Sequence, residues 1–207
     1  MEKNTSHNPV RRPPATQTLI FGAVLTALVI VLQSIAEITS VFLPITISLA
    51  LIPIVIGATV GGVKLSTWLG FVSGVVILLM PSTATFFGVH FFGTILTVLV
   101  KGIAAGLAAG FVYRLFEKKN QYLAVILAAI VCPVVNTGVF VLGCFAFFYE
   151  TIAGWAAVNE EFTNAISYLF LGMIGLNFIV ELISNILLSP AAVRLLNVLK
   201  KQSNPRK

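Results

Sequence analysis

Polar side chains inside long apolar segments are the residues of this sequence best suited to chemistry. They form three groups: His90, Thr94, Thr97 and Lys101; Asn136 and Thr137; and Asn177, Glu181 and Asn185. The spacings within the first and third groups each place their members on one face of a helix. Polar groups are costly to bury in hydrocarbon, so each of these positions is a candidate for binding or transport.

Two interpretations of the charged residues remain open. Lys101 and Glu181 either pair and hold two helices together, or line a pocket that opens toward the outer face. In the pocket, Lys101 would be the counter-ion of an anionic ligand group and the asparagines would form hydrogen bonds to polar groups. We favour the pocket. Its predicted substrate-binding residues are Lys101, Asn136, Asn177, Glu181, Thr97, Thr94 and His90. We expect Glu37 to be an exposed loop residue.

The composition argues against catalysis by this chain. The sequence has no Asp and only two histidines, His7 and His90, so a metal cluster or a Ser-His-Asp triad cannot be assembled. Residues 57–66 (GATVGGVKLS) resemble a phosphate-binding loop, but the spacing is wrong and no strand precedes them. We therefore predict no enzymatic activity and no cofactor in this chain, and any ATP must be used by partner subunits.

Long apolar helices must position these polar groups. The chain of 207 residues is 58% hydrophobic and 10% charged, with a mean hydropathy of +1.02. Six segments approach the length needed to cross a bilayer. They are residues 16–35, 45–62, 65–81, 90–113, 121–148 and 166–196. The second and third are short and barely separated, which is compatible with a tight hairpin.

Basic residues orient these segments, because Lys and Arg concentrate on the cytoplasmic side. They flank the first and last segments and lie in the connections at Lys64 and at Arg114 to Lys119. The connections 36–44, 82–89 and 149–165 contain none. The predicted fold class is an all-α integral membrane protein, a six-helix bundle with both termini cytoplasmic. Residues 1–15 are a disordered tail, 16–197 the membrane domain and 198–207 a basic tail.

Three further patterns accompany the topology. Gly102, Gly106 and Gly110 share one face of a helix, as small residues do where membrane helices pack closely. Trp155 is expected in the outer loop 149–165, as a membrane-interface residue or as a lid over a site. Residues 34–36 (SIA) mimic a signal-cleavage site, but the preceding apolar run is long, so we expect the first span to be retained.

The sequence resembles the substrate-binding S component of energy-coupling factor (ECF) transporters over roughly residues 16–196. Four segments in the same order carry the resemblance, together with six spans in about 200 residues. They are 47–58 (ISLALIPIVIGA), 70–74 (GFVSG), 101–110 (KGIAAGLAAG) and 132–137 (CPVVNT).

This resemblance implies a subunit that captures a vitamin or related micronutrient from outside a bacterial cell. It implies partnership with a transmembrane coupling protein and two cytoplasmic ATPase subunits. Ala23 and Ala27 match the Ala-x-x-x-Ala face on which the family docks its coupling protein. Residues 136–137 and 53–58 look most like the pantothenate and riboflavin branches, and Lys101 favours pantothenate.

Two other classes of protein are considered beside the S component. One is a stand-alone secondary transporter driven by protons or sodium, with Glu181 as the coupling group. The other is an intramembrane enzyme or assembly factor, which the missing Asp and the scarcity of His disfavour.

Overall fold

The computed structural model describes residues 15–42, 49–159, 161–162 and 164–202, and this part of the chain is helical with short connections. The elements are α1 (Ala15–Phe42), α2 (Leu51–Leu78), a 3-10 turn (Pro81–Thr83), α3 (Ala84–Val89), α4 (Phe91–Phe116), α5 (Gln121–Gly143), α6 (Tyr149–Ala157), α7 (Ala165–Ser167) and α8 (Leu176–Gln202). π-helical turns at Cys144–Phe148 and Tyr168–Gly175 join α5 to α6 and α7 to α8. The predicted tail 1–15 lies almost wholly outside the described residues.

Helix α1 is longer than the apolar run that predicted it. It continues to Phe42 through most of the connection predicted at 36–44, and Glu37 is therefore a helical residue. The expectation that Glu37 lies in an exposed loop is wrong. Residues 35–42 include several apolar residues, among them Ile35, Ala36 and Ile38, and they add about two helical turns beyond the predicted end.

Helix α2 contains a break at Gly62, between the segments predicted as two short spans. Gly62 has φ 67° and ψ −156°, a conformation essentially restricted to glycine. A side chain added at Gly57 would collide with Leu69, although twelve residues of straight helix would separate them by about 18 Å. The two halves of α2 therefore fold back on each other.

A seam of small residues joins the second half of α2 to α4. A Cβ added to Gly70 would meet the Gly102 carbonyl oxygen, and one added to Gly106 would meet the Ser66 carbonyl oxygen. One added to Gly74 would approach the Val98 carbonyl oxygen at 3.0 Å. Backbone thus contacts backbone along the antiparallel pair, and the prediction that Gly102 and Gly106 lie where helices pack closely is confirmed.

The segment after α5 is also more helical than predicted. The connection predicted at 149–165 begins with α6, which places Trp155 in a helix. Near-continuous helix from Gln121 to Ala157 spans 37 residues, more than a bilayer requires. The backbone departs from helical geometry at Phe148 (φ −126°, ψ 4°), where α6 begins.

Two groups of buried residues hold the described chain together. The larger core is formed by α1, α2, α4, α5 and α8 around side chains such as Val29, Ile54, Leu69 and Val125. The smaller core lies around Phe148 and joins α6 to α7.

Five helical stretches in the described chain are long and apolar enough to cross a membrane. They are Thr16–Ile38, Leu51–Leu78, Phe91–Phe116, Gln121–Ala157 and Ala165–Arg194. The part of the chain that the structure describes is thus all-helical, and the protein is a multi-pass membrane protein. The second stretch contains the Gly62 break, so the expected number of six crossings and the orientation of the termini stay predictions.

Candidate functional site

A cavity of about 250 Å³ lies inside the helical bundle. Its walls come from α1, α2, α4, α5, α8 and the residues around the 3-10 turn. On α4 it is lined between Thr94 and Lys101, and on α5 from Asn136 onward. These positions lie in the half of the bundle remote from the basic connection at Arg114, beside the connections that lack Lys and Arg.

Six of the seven predicted substrate-binding residues line this cavity. They are Thr94, Thr97, Lys101, Asn136, Asn177 and Glu181. These residues come from three helices, α4, α5 and α8, so the fold brings together side chains as far apart in sequence as Thr94 and Glu181. The structure therefore supports treating these six residues as one candidate site.

Lys101 and Glu181 provide opposite charges in the same cavity. They lie near enough for their charges to attract each other. The Lys101 ammonium also lies 5.0 Å from the centre of the Phe140 ring, a favourable position over an aromatic face. Both residues line the cavity, so the pairing and ligand-binding interpretations are compatible: a Lys ammonium has three donors and can face two acceptors at once.

Asparagine side chains add neutral polar groups at this end of the cavity. Asn136 and Asn177 are half-buried, and the Asn177 amide donates to the Met173 carbonyl oxygen at 3.3 Å. Asn185, one helical turn beyond Glu181, is buried and donates to the Glu181 carbonyl oxygen at 2.8 Å. Asn185 therefore forms its hydrogen bond within α8, one turn beyond Glu181.

Thr97 is the most unusual polar residue of the site. It is 4% exposed and lines the cavity. Its hydroxyl oxygen has no hydrogen-bond partner within the described residues. Thr94, one turn away and equally buried, donates instead to the His90 carbonyl oxygen at 2.9 Å. The oxygen packs against Gly143 with almost no accessible surface, so a ligand supplies the missing partner only if the Thr97 side chain rotates toward the cavity.

His90 does not belong to the cavity wall. Its side chain is exposed at the start of α4, where Nδ1 accepts a hydrogen bond from the Gly93 N–H at 2.9 Å. It therefore caps the helix by satisfying one of its first N–H groups. Helical spacing in the sequence grouped His90 with Lys101. That spacing does not apply to His90, because its backbone is extended (φ −151°, ψ 95°) and α4 begins after it.

Two cavity residues on α1 were missed at the sequence level. Gln33 is 7% exposed, and Glu37 follows it by one turn on the same face. The Glu37 carboxylate accepts hydrogen bonds from the Ser82 N–H at 2.8 Å and the Ser82 hydroxyl at 2.7 Å. The signal was present in the sequence: a Gln and a Glu spaced by four residues near the end of an apolar run.

Aromatic rings close one side of the cavity. Phe86, from α3, packs edge-on against Phe148 and Phe140, with ring centres 5.2 and 6.3 Å apart. Trp155 packs against the same ring at 5.9 Å, outside the cavity wall. Trp155 thus supports Phe86 and does not line the cavity.

The predicted docking residues lie on an open surface of α1. Ala23 and Ala27 are both exposed. Large apolar side chains on the same helix are exposed around them, including Leu19, Ile20, Val24, Leu28 and Val31. A small-residue stripe flanked by exposed apolar side chains is suited to close contact with another membrane helix.

The arrangement suits binding. An apolar bundle encloses a small cavity in which a few charged and amide groups converge, as in sites that hold small molecules. Within the described residues, no three His, Cys or acidic side chains are grouped closely enough to hold a metal ion.

Comparison with known proteins agrees with this geometry. Residues 17–193 match the family model described as "ECF transporter, substrate-specific component". Neither a search of curated proteins nor a search of solved structures found a match. The family consists of substrate-binding transporter subunits that work with ECF coupling and ATPase subunits, and it is not a family of enzymes. The match covers most of the chain, which therefore belongs to the substrate-specific component family of ECF transporters.

Proposed function

We propose that this chain captures a vitamin or related micronutrient from outside a bacterial cell and delivers it through its plasma membrane with ECF partner subunits. The observation that carries the proposal is the cavity, in which Lys101, Glu181 and two asparagines converge inside an apolar bundle. It lies in the half of the bundle beside the connections without basic residues, which the positive-inside rule assigns to the outer side.

Six crossings with both termini cytoplasmic complete this proposal. The fold-back at Gly62 supports two crossings within α2, because Gly57 and Leu69 lie side by side. Lys64 then lies on the same side as Arg114. Each half of α2 is shorter than the roughly 20 residues of a typical crossing.

Delivery requires partners in this scheme. ATP is used by two cytoplasmic ATPase subunits, and this chain holds no cofactor. The exposed alanines of α1, Ala23 and Ala27, are the proposed contact with the transmembrane coupling protein. Their small side chains let a partner helix approach closely in lipid.

Pantothenate is the favoured substrate and riboflavin the next. A cavity of about 250 Å³ is below the range of about 300–1,000 Å³ typical for drug-sized ligands, which favours the smaller vitamin. Lys101 offers a counter-ion for the carboxylate of pantothenate, whereas riboflavin has no carboxylate. The half-buried amides of Asn136 and Asn177 suit the hydroxyl and amide groups of pantothenate.

Mass spectrometry of small molecules released by denaturing the purified protein tests this proposal. We expect one stoichiometric vitamin, pantothenate first. Another vitamin would correct the substrate and leave the subunit assignment intact. An empty protein that also fails to bind any of a panel of water-soluble vitamins would contradict the capture function.

A secondary transporter driven by an ion gradient is the alternative, since Glu181 lines the cavity and could carry a proton. Reconstitution distinguishes the two mechanisms. The proposed subunit gives no uptake alone in liposomes under a proton or sodium gradient, and gives uptake with coupling and ATPase subunits plus ATP. Uptake by the chain alone would support the alternative.

A further inference from the structure

We propose that the cavity has two chemically opposite ends and selects an elongated ligand that has an anionic group at one end and hydrogen-bond donors at the other. Lys101 forms the inner end and Glu37, with Gln33, forms the outer end. This inference rests on the proposed function, because it assigns an orientation to the substrate of the same site.

The close packing of α2 on α4 fixes the depth of the two ends. Gly70 contacts Gly102, so Lys101 lies level with the middle of the second half of α2. From Gly70 to Leu78 the helix rises by about 12 Å, and Ser82 follows beyond that end. Glu37 is held at the level of Ser82 by two hydrogen bonds. A ligand that contacts both ends must be several bonds long.

The inner end is built to receive acceptor atoms. A Lys ammonium has donors only, and Lys101 lines the cavity one turn from Thr97. The Thr97 hydroxyl oxygen packs against Gly143 with almost no accessible surface, so it reaches the same group only after the side chain rotates. A ligand carboxylate at this position accepts from the Lys101 ammonium and shares it with Glu181, whose charge also attracts Lys101.

The outer end has the opposite preference. An ionised carboxylate accepts hydrogen bonds and cannot donate them. Glu37 already accepts two from Ser82, which orients its carboxylate at the cavity wall. A ligand group placed there has to bring donors, such as hydroxyls, and a second carboxylate is repelled. Phe86 and Phe148 supply apolar surface to the wall of the same cavity.

Pantothenate fits this polarity, with its carboxylate at Lys101 and its two hydroxyls at Glu37. The test measures affinity of the purified full chain by calorimetry for three compounds. They are pantothenate, pantothenyl alcohol (a hydroxymethyl group replaces the carboxylate) and the analogue in which hydrogen replaces both hydroxyls. We expect the wild-type chain to bind pantothenate about 10- to 100-fold more tightly than either analogue.

Variants then assign each preference to one end. Lys101→Met is expected to remove the preference for the carboxylate and to keep the preference for the hydroxyls. Glu37→Gln does the reverse, since the amide can still accept from Ser82 but lacks the charge. Lys64→Met and Glu150→Gln alter exposed charges away from the cavity and serve as matched controls.

Ser82→Ala separates a contact with the ligand from an indirect effect. This variant removes the hydroxyl bond to Glu37 but keeps the bond from the backbone N–H of residue 82, which holds the carboxylate at the cavity wall, so any loss of affinity is expected to be the same for all three compounds. If it instead abolishes the hydroxyl preference as Glu37→Gln does, Glu37 acts only by holding the turn, and the proposal fails.

The remaining outcomes are equally decisive. If Lys101→Met instead removes the preference for the hydroxyls and Glu37→Gln removes the preference for the carboxylate, the proposed orientation of the ligand is wrong. A wild-type chain that does not discriminate among the three compounds would overturn the two-ended site. Tight binding of thiamine or riboflavin with no binding of pantothenate would overturn the inference and leave the vitamin-capturing function standing. The comparison of compounds on the wild-type chain decides the proposal even if a variant does not fold.

Discussion

The buried hydroxyl of Thr97 is informative about the candidate site. Thr97 and Thr94 are both buried on α4, yet among the described residues Thr94 has a hydrogen-bond partner, the His90 carbonyl oxygen, and the Thr97 hydroxyl has none. Leaving a buried donor unsatisfied costs about 1–3 kcal/mol, and a ligand that accepts from it after the side chain rotates recovers that energy. Thr97 therefore links stability of the empty protein to affinity.

Replacing Thr97 by Val tests this link, because the methyl group preserves shape and removes the hydroxyl. We expect thermal unfolding of the empty protein in detergent to be unchanged or shifted upward, and ligand affinity to fall by about 1 kcal/mol. Thr94→Val loses a satisfied bond and is expected to lower the unfolding temperature. A Thr97→Val protein that unfolds earlier and keeps full affinity would contradict this role.

Sequence reasoning predicted much of the site at the residue scale because helical spacing and the cost of burying polar groups select few positions. Thr97, Lys101 and Asn177 were found in this way and line the cavity. Glu37 was missed because hydrophobicity alone cannot show how far a helix continues beyond its apolar core. His90 was included because helical spacing does not reveal where a helix begins.

At the scale of the elements, glycines determine how closely α2 can approach α4 and where α2 turns. Gly70 and Gly102 meet through their backbones, and Gly62 adopts a conformation closed to other residues. In lipid, helix association depends on such close packing, because the surrounding chains are as apolar as the side chains. The cavity wall formed by these two helices therefore depends on residues that do not line it.

Gly102→Ala is expected to destabilise the protein by about 1–3 kcal/mol, because the new Cβ would collide with the Gly70 carbonyl oxygen. Gly138→Ala is the matched control: Gly138 lies inside α5 with no atom within 4 Å of an added Cβ. Thermal unfolding monitored in detergent compares the two. Equal unfolding temperatures would contradict the close approach of α2 and α4.

Gly62→Ala tests the fold-back of α2. An alanine at φ 67° and ψ −156° is strained by about 1–3 kcal/mol, so we expect a lower unfolding temperature and reduced amounts of folded protein. Gly154→Ala, in a helix with open space around it, is expected to have no such effect. A fully stable Gly62→Ala protein would favour a straight α2.

The elements were predictable where apolar runs are long and less so near their ends. The hairpin at residues 62–64 was anticipated from two short runs, but not the residue at which it turns, since Gly61, Gly62 and Lys64 all lie within four positions there. Helix α6 was not predicted, because its residues include Glu150 and Gly154 and it gains stability from packing against α7.

At the scale of the whole molecule, the two proposed interactions use separate surfaces. The cavity lies among α1, α2, α4, α5 and α8, whereas Ala23 and Ala27 face away from the bundle. Blocking one surface should therefore leave the other working. The sequence predicted both sets of residues but not their separation in space, which depends on how α1 is rotated about its axis.

Ala23→Trp and Ala27→Trp are expected to abolish uptake in cells that contain the partner subunits, and to leave ligand binding by the purified chain unchanged. The bulky ring would prevent close contact with the coupling protein. Phe111→Trp, at a lipid-exposed position of α4, is the control. Normal uptake by both alanine variants would remove this face from the docking proposal.

Labelling of single cysteines with a membrane-impermeant maleimide tests the number of crossings. Both native cysteines, Cys132 and Cys144, are buried, so they contribute little background. With six crossings, Glu161→Cys is labelled from outside, whereas Lys64→Cys and Lys119→Cys react only after the membrane is permeabilised. Labelling of Lys64→Cys from outside would show that α2 crosses once.

The glycine seam between α2 and α4 also restricts which parts of the protein can move when a ligand enters. Interfaces usually shift through rotamer changes and sliding of side chains, and backbone contact at Gly70, Gly102 and Gly106 leaves no side chain to rearrange. We therefore expect these two helices to move as one unit during the slower motions that admit a ligand. Opening of the cavity is then expected from the other elements that line it, α1, α3, α5 and α8, and amide hydrogen exchange is expected to be faster in one or more of them than along the seam.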